Sequence, residues 1–164
     1  MLGVNPDNSE WYTPPYLLER VYSVMSIDLD PASPFPPVVR CKKYFTVEDD
    51  GLSKEWFGNV FLNPPYGREI SKWISKLCDS WIYGYVRNAI VLVPVKSDTR
   101  WFDSLADISS YFVTLKGRVK YVHPKLGVCT AGTFPSCVFL VSFDDDIKRS
   151  FYESFCDLGL IWSR

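Results

Sequence analysis

The spacing of apolar positions changes period along the chain, and each change predicts an element. Leu17, Leu18, Val21, Tyr22 and Met25 recur at helical spacing and predict a helix over 14–25, with Thr13 as its cap and Pro14-Pro15 in its first turn. "SIDLD" (26–30), "KKYFTV" (42–47) and "GNVFL" (58–62) read as short strands. Ile70, Trp73, Ile74, Leu77, Trp81 and Ile82 then mark one helix face, with Lys72 and Lys76 on the other side. "NAIVLVPV" (88–95) is nearly all apolar, the pattern of a strand covered on both faces. Asp98 is placed to cap a short helix bearing Trp101, Phe102 and Leu105. Strands follow at 111–115, 118–122 and 136–143, and a last helix at about 146–158 opens on acids that suit its positive end and stops at Gly159.

Early strands alternate with helices and late strands cluster. That order predicts an α/β fold: a mostly parallel sheet with helices on both faces, ending in antiparallel strands toward the C-terminal end. In such sheets ligands bind beyond the carboxyl ends of the strands. Asp28-Leu29-Asp30-Pro31 and Asn63-Pro64-Pro65-Tyr66 both fall at such ends, so they are expected to share one crevice.

Composition narrows the class. The 164 residues suit one domain, and 47% hydrophobic content supports a sizeable core. A net charge of −1 argues against a strongly basic nucleic-acid binder, leaving only a local patch. Five cysteines (Cys41, Cys78, Cys129, Cys137, Cys156) lack CxxC spacing, and "MLGVNPDNSEW" does not resemble a signal peptide. They read as reduced, buried thiols of an intracellular protein, and one His makes a structural metal site improbable. No apolar run reaches membrane-spanning length.

The chemistry concentrates at "NPPY". Proline lacks an N–H, fixes its own φ and pushes the preceding residue into extended backbone. Asn63 and Pro64 both precede a proline, so the Asn63 side chain and the Pro64 carbonyl can be held pointing into the crevice. Two oxygen acceptors held together suit an –NH2 group, and Tyr66 offers a face for a planar ring. The plainer reading is a rigid turn with Tyr66 in the core.

"NPPY" after a strand is also the catalytic motif of amino-methyltransferases that use S-adenosylmethionine (SAM). With "EWYTPPYLLERV" (10–21), "SIDLDPAS" (26–33), the segment 42–76, "VLVPVKSDTRWF" (91–102) and "LKGRVKYV" (115–122) in order, the chain resembles the phage-type, Dam-like DNA N6-adenine methyltransferases over most of its length. The resemblance implies a Rossmann-like SAM-dependent methyltransferase fold in one domain, without a separate target-recognition domain. By similarity, Asn63 and the Pro64 carbonyl would accept from the target amine, Pro65 would hold the turn, and Tyr66 would stack on a flipped-out adenine. Asp30, with Asp28 two residues earlier, would lie near the methionyl ammonium of SAM. Asp50, with Asp49 beside it, would contact the adenine amine of SAM, and Thr13 and Pro14 would line the methionine side. For Asp28 and Asp30 the plainer reading is a polar strand end, for Asp49 and Asp50 a solvated turn, and for Thr13 a helix cap. One departure stands out: many SAM enzymes carry a Gly-rich loop after the first strand, and here no Gly occurs from Ala32 to Thr46.

Lys116, Arg118, Lys120, His123 and Lys125 form a run without acids, and Lys96 and Arg100 follow the 88–95 strand. These read as a phosphate-contacting rim for DNA or as an ordinary solvated edge. In the strand reading, Arg118 and Lys120 share a face, with Lys116 beside them if the register holds. The family suggests a cytoplasmic protein of a bacterial host, phage- or prophage-encoded, acting as a monomer or homodimer. Methyl transfer to RNA adenine or protein glutamine, and a non-catalytic SAM-fold module, remain open alternatives at this level.

Overall fold

The computed structural model describes residues 11–122 and 129–164. A seven-stranded sheet runs β2-β1-β3-β4-β8-β5-β9. Its first half comprises β1 (Ile27–Asp30), β2 (Cys41–Tyr44), β3 (Gly58–Leu62) and β4 (Val86–Pro94), all parallel. The second half is antiparallel: β8 (Ser136–Val141) pairs with β4, β5 (Tyr111–Leu115) with β8, and β9 (Gly159–Ser163) with β5. This is the predicted Rossmann-like α/β arrangement.

Two helices cover each face. α2 (Ile70–Ile82) and α3 (Arg100–Ile108) pack on Ala89, Val91 and Val93 of β4 and on Cys137, Phe139 and Val141 of β8. α1 (Pro15–Val24) and α4 (Asp145–Phe155) pack on Ile90 and Leu92 of β4 and on Val138 and Leu140 of β8. Alternate residues of the two central strands therefore feed opposite cores, which is why both segments are apolar throughout. Phe139 anchors one core, stacked on Phe112 at 5.0 Å and edge-on to Phe102 at 5.1 Å.

Several expectations need correction. Thr13 does not cap α1; Pro14 holds the cap position, and no side chain caps the helix. Thr99, not Asp98, precedes α3, again without a side-chain cap bond. The acidic start of the last helix does work as a cap, because Asp144 accepts from the N–H groups of Asp146 and Ile147. Gly159 does not stop that helix, which ends at Phe155 with Cys156 as its cap; Gly159 begins β9, an edge strand whose place is set by its register with β5.

The strand expected over 118–122 does not join the sheet. Gly117 takes a positive φ of 69°, turning the chain away after β5, and β9 fills the place beside β5. Its strand residues, β6 (Lys120–Val122), instead pair with β7 (Cys129–Ala131) in a separate two-stranded ribbon. Tyr12 bridges to Val122 of that ribbon through two backbone hydrogen bonds, of 3.3 and 3.0 Å. Of the cysteines whose surroundings are described, only Cys137 is buried; Cys41 and Cys78 are half-buried and Cys156 is exposed. No helix among the described residues is long and apolar enough to cross a membrane.

Candidate active site

β1 has β2 on one side and β3 on the other, so the strand order reverses there. A reversal of this kind opens a crevice beyond the strand ends. The cleft found at that point is lined by Asp30 and residues 31–34 after β1, by Asn63 and Pro65 after β3, by Asp50 and Gly51, and by Thr13. "DLDP" and "NPPY" thus share one crevice, as their positions at strand ends predict.

Asn63 is the most constrained polar group in it. Its Nδ2 donates to the Trp11 carbonyl and to Thr13 Oγ1, the latter at 3.1 Å. The Trp11 carbonyl can only accept, so it fixes which end of the amide faces it. The other end, Oδ1, is buried and has no hydrogen-bond partner. Among the described residues it is the single buried side-chain oxygen or nitrogen left so. Leaving such an acceptor unsatisfied costs about 1–3 kcal/mol, a cost recovered when a ligand donor arrives.

Asp30 is the second unusual group. Its carboxyl is 3% exposed and no ion pair reaches it among the described residues. Burial pushes its pKa up to about 7, against smaller opposing pulls from the Ala32 N–H and Ser33. The Ala32 N–H donates to its Oδ1 at 3.2 Å, closing a tight turn after β1. The nearby Cys41 thiol is in turn raised to about 11, by burial first and then by Asp30.

Asp28 lies elsewhere. Its carboxylate pairs with Lys42 at 2.7 Å and Arg87 at 3.6 Å and accepts from the Asn59 N–H at 2.8 Å, and it does not line the cleft. Burial alone would raise its pKa, but Lys42, the Asn59 N–H and Arg87 together hold it below the ordinary value. Asp28 ties β1 to the neighbouring strands β2 and β3.

Asp49 and Asp50 divide similarly. Asp49 is exposed and accepts from the Thr46 N–H and Oγ1 at 2.8 and 2.9 Å, contacts that lower its pKa. Asp50 lines the cleft, in a left-handed conformation with φ of 54°. Gly51 follows it, and a Cβ there would lie 2.0 Å from the Pro31 carbonyl oxygen. Gly51 is thus the point where two cleft-lining loops meet backbone to backbone.

Pro14 is buried at the start of α1, behind the cleft-lining Thr13. Pro64 is also buried. Tyr66 sits beside the cleft rather than in its lining. Its hydroxyl lies 3.3 Å from the Leu92 carbonyl and 3.3 Å from the Tyr121 hydroxyl, which itself contacts Ser136 Oγ at 2.8 Å. Its ring meets Tyr121 and Phe134 edge-on at 6.3 and 5.3 Å, and Trp11 meets the same two rings from its own side. Burial, followed by Tyr121, pushes the Tyr66 hydroxyl well above its ordinary pKa, so it remains protonated. Sequence reasoning assigned no site role to Trp11, Tyr121 or Phe134, although Trp11 and Tyr121 fall in the family-like segments 10–21 and 115–122.

The basic residues separate into groups. Arg118 and Lys120 are exposed while Val119 and Tyr121 between and after them are buried, so the alternation holds there. Lys116 is exposed but precedes the Gly117 turn, so it does not share their strand. Lys96 and Arg100 are exposed just past the carboxyl end of β4, the same sheet edge as Asn63. Lys125 and His123 lie outside the described residues.

The sheet order, the helices on both faces and the cleft at the strand reversal define a Rossmann-like methyltransferase fold. Comparison with protein families matches residues 4–151 to the DNA N-6-adenine-methyltransferase (Dam) family, and the chain belongs to that family. Its indicated reaction is therefore methylation of adenine N6 in DNA. Comparison with curated proteins finds no match.

Proposed function

We propose that this chain transfers the methyl group of SAM to the N6 amine of a DNA adenine rotated out of the helix into the pocket beside Asn63. The buried, partnerless Oδ1 of Asn63 carries the reading, because an –NH2 donor is what it lacks. The residues present fit the cofactor. Asp30 offers a buried carboxyl without a cation, suited to the methionyl ammonium, while Asp50 suits the amine of the adenosyl ring and Thr13 and Pro14 the methionine side. Asp28 and Asp49 are occupied by contacts of their own and are assigned to structure. SAM, when bound, supplies an electrophilic methyl on a sulfonium.

The protein's part is orientation and polarisation. Asn63 Oδ1 and the Pro64 carbonyl accept the two amine hydrogens, drawing electron density onto the nitrogen and turning its lone pair out of the ring plane. Pro65 keeps the turn stiff. Tyr66 supports the base with its ring, its hydroxyl tied to the Leu92 carbonyl and Tyr121. Neither acceptor is basic enough to keep a proton, so the surplus amine proton leaves to water. Lys96, Arg100, Lys116, Arg118 and Lys120 contact phosphates, a role also read for Lys125, which lies outside the described residues.

Purified protein incubated with methyl-labelled SAM and unmethylated DNA, RNA or protein tests this. Label recovered as N6-methyladenine from DNA is the expected result. Label in glutamine or in RNA would replace the substrate, and neither transfer nor SAM binding by calorimetry would overturn the enzyme reading.

A further inference from the structure

We infer that the Thr13 hydroxyl is a positioning group for methyl transfer, acting through Asn63, apart from the place the rest of Thr13 holds on the methionine side of the cofactor. The inference rests on the amine-acceptor reading of Asn63. Thr13 is 4% exposed, and its Oγ1 accepts one of the two Nδ2 hydrogens of Asn63 at 3.1 Å, while the Trp11 carbonyl accepts the other. With both hydrogens taken, the amide cannot rotate or flip without losing two part-buried bonds, and Oδ1 is left as the group that meets the substrate. Asn63 follows β3, but both of its partners come from the segment before α1, 50 and 52 residues away in sequence.

That segment is itself anchored. Between the two partners, Tyr12 exchanges backbone hydrogen bonds with Val122 of the β6–β7 ribbon. The Trp11 ring packs edge-on against Tyr121 and Phe134. The clamp on the amide is therefore held by the ribbon that begins at Lys120, with Arg118 two residues before it. Thr13 also lines the cleft, so a cofactor contact alone is the competing role, and the two roles separate in kinetics.

Thr13→Val keeps the shape and removes the hydroxyl; Thr13→Ser keeps the hydroxyl. For Thr13→Val, kcat at saturating DNA and SAM is expected to fall about tenfold, the worth of one hydrogen bond orienting a reacting group, with SAM affinity within about twofold of wild type. Thr13→Ser is expected to restore kcat to within about threefold. A loss of SAM affinity with unchanged saturating kcat overturns the inference, as does an unchanged kcat. A second readout needs no turnover: the Asn63 side-chain NH2 resonance, assigned by its loss in Asn63→Asp. One of its two protons should exchange faster with solvent in Thr13→Val but not in Thr13→Ser, with circular dichroism confirming the fold. Equal exchange in all three proteins overturns the clamp. A wild-type protein that shows this protection but methylates nothing refutes the function proposed for Asn63, and with it the positioning role, while leaving the clamp itself in place.

Discussion

Asp30 and Asp28 sit two residues apart on β1, yet their surroundings push their carboxyls in opposite directions. Asp28 has two cations and an N–H and stays ionised. Asp30 has two weak donors and no cation, and titrates at about 7. Its folded pKa lies above the unfolded value of 3.8, so the folded state holds the proton more tightly. Stability of the ligand-free protein should therefore fall as pH rises from about 4 to about 7, the reverse of the usual carboxylate trend. Urea denaturation should show the stability of wild type falling relative to Asp30→Asn as pH rises across that range; parallel profiles would contradict the assignment. SAM affinity should run the other way, rising as Asp30 ionises toward pH 7, and Asp30→Asn should lose both the affinity and its pH dependence. At this scale the sequence showed which residue types matter but not their company: "NPPY" and "DLDP" were legible, whereas the Trp11 carbonyl that orients Asn63 has no side-chain signature.

Among the elements, legibility followed how much of each pattern was set by burial. The α2 stripe and the apolar runs of β4 and β8 could be read directly, because each face packs on a core. β9 could not, since Leu160 and Trp162 are largely exposed and the strand exists through its pairing with β5. The 118–122 pattern predicts a strand of the main sheet, but its strand residues pair in the ribbon because the turn at Gly117 decides their direction. The Gly51 loop shows the same dependence on context. Its approach to Pro31 could not be inferred from "DDGL", yet it shapes the cleft wall. Gly51→Ala places a methyl against the Pro31 carbonyl, so the two loops must separate. Thermal denaturation should show a loss of about 1–3 kcal/mol, and SAM affinity should fall with it. Wild-type affinity in this variant would show that the two loops do not shape the cofactor site.

Across the whole molecule, a near-neutral chain gathers cations at one end of its sheet. Lys96 and Arg100 follow β4, and Arg118 and Lys120 border the ribbon tied to the Asn63 clamp. If these four meet phosphates, log K for DNA against log salt should slope at roughly −3 to −4. Arg118→Ala should make that slope shallower by about 1 while weakening binding evenly across DNA sequences. A salt-independent affinity would remove this rim from the account.

Asn63 Oδ1, unpartnered in the cleft, is the group proposed to receive the target amine. Asn63→Ala tests it most directly, with single-turnover methyl transfer to DNA measured beside SAM binding on the same preparation. Transfer is expected to fall at least about a hundredfold, within the range for removing one group that stabilises a reacting centre, with SAM affinity close to wild type. Wild-type transfer in Asn63→Ala would contradict the account, and loss of the fold would return the motif to a structural role.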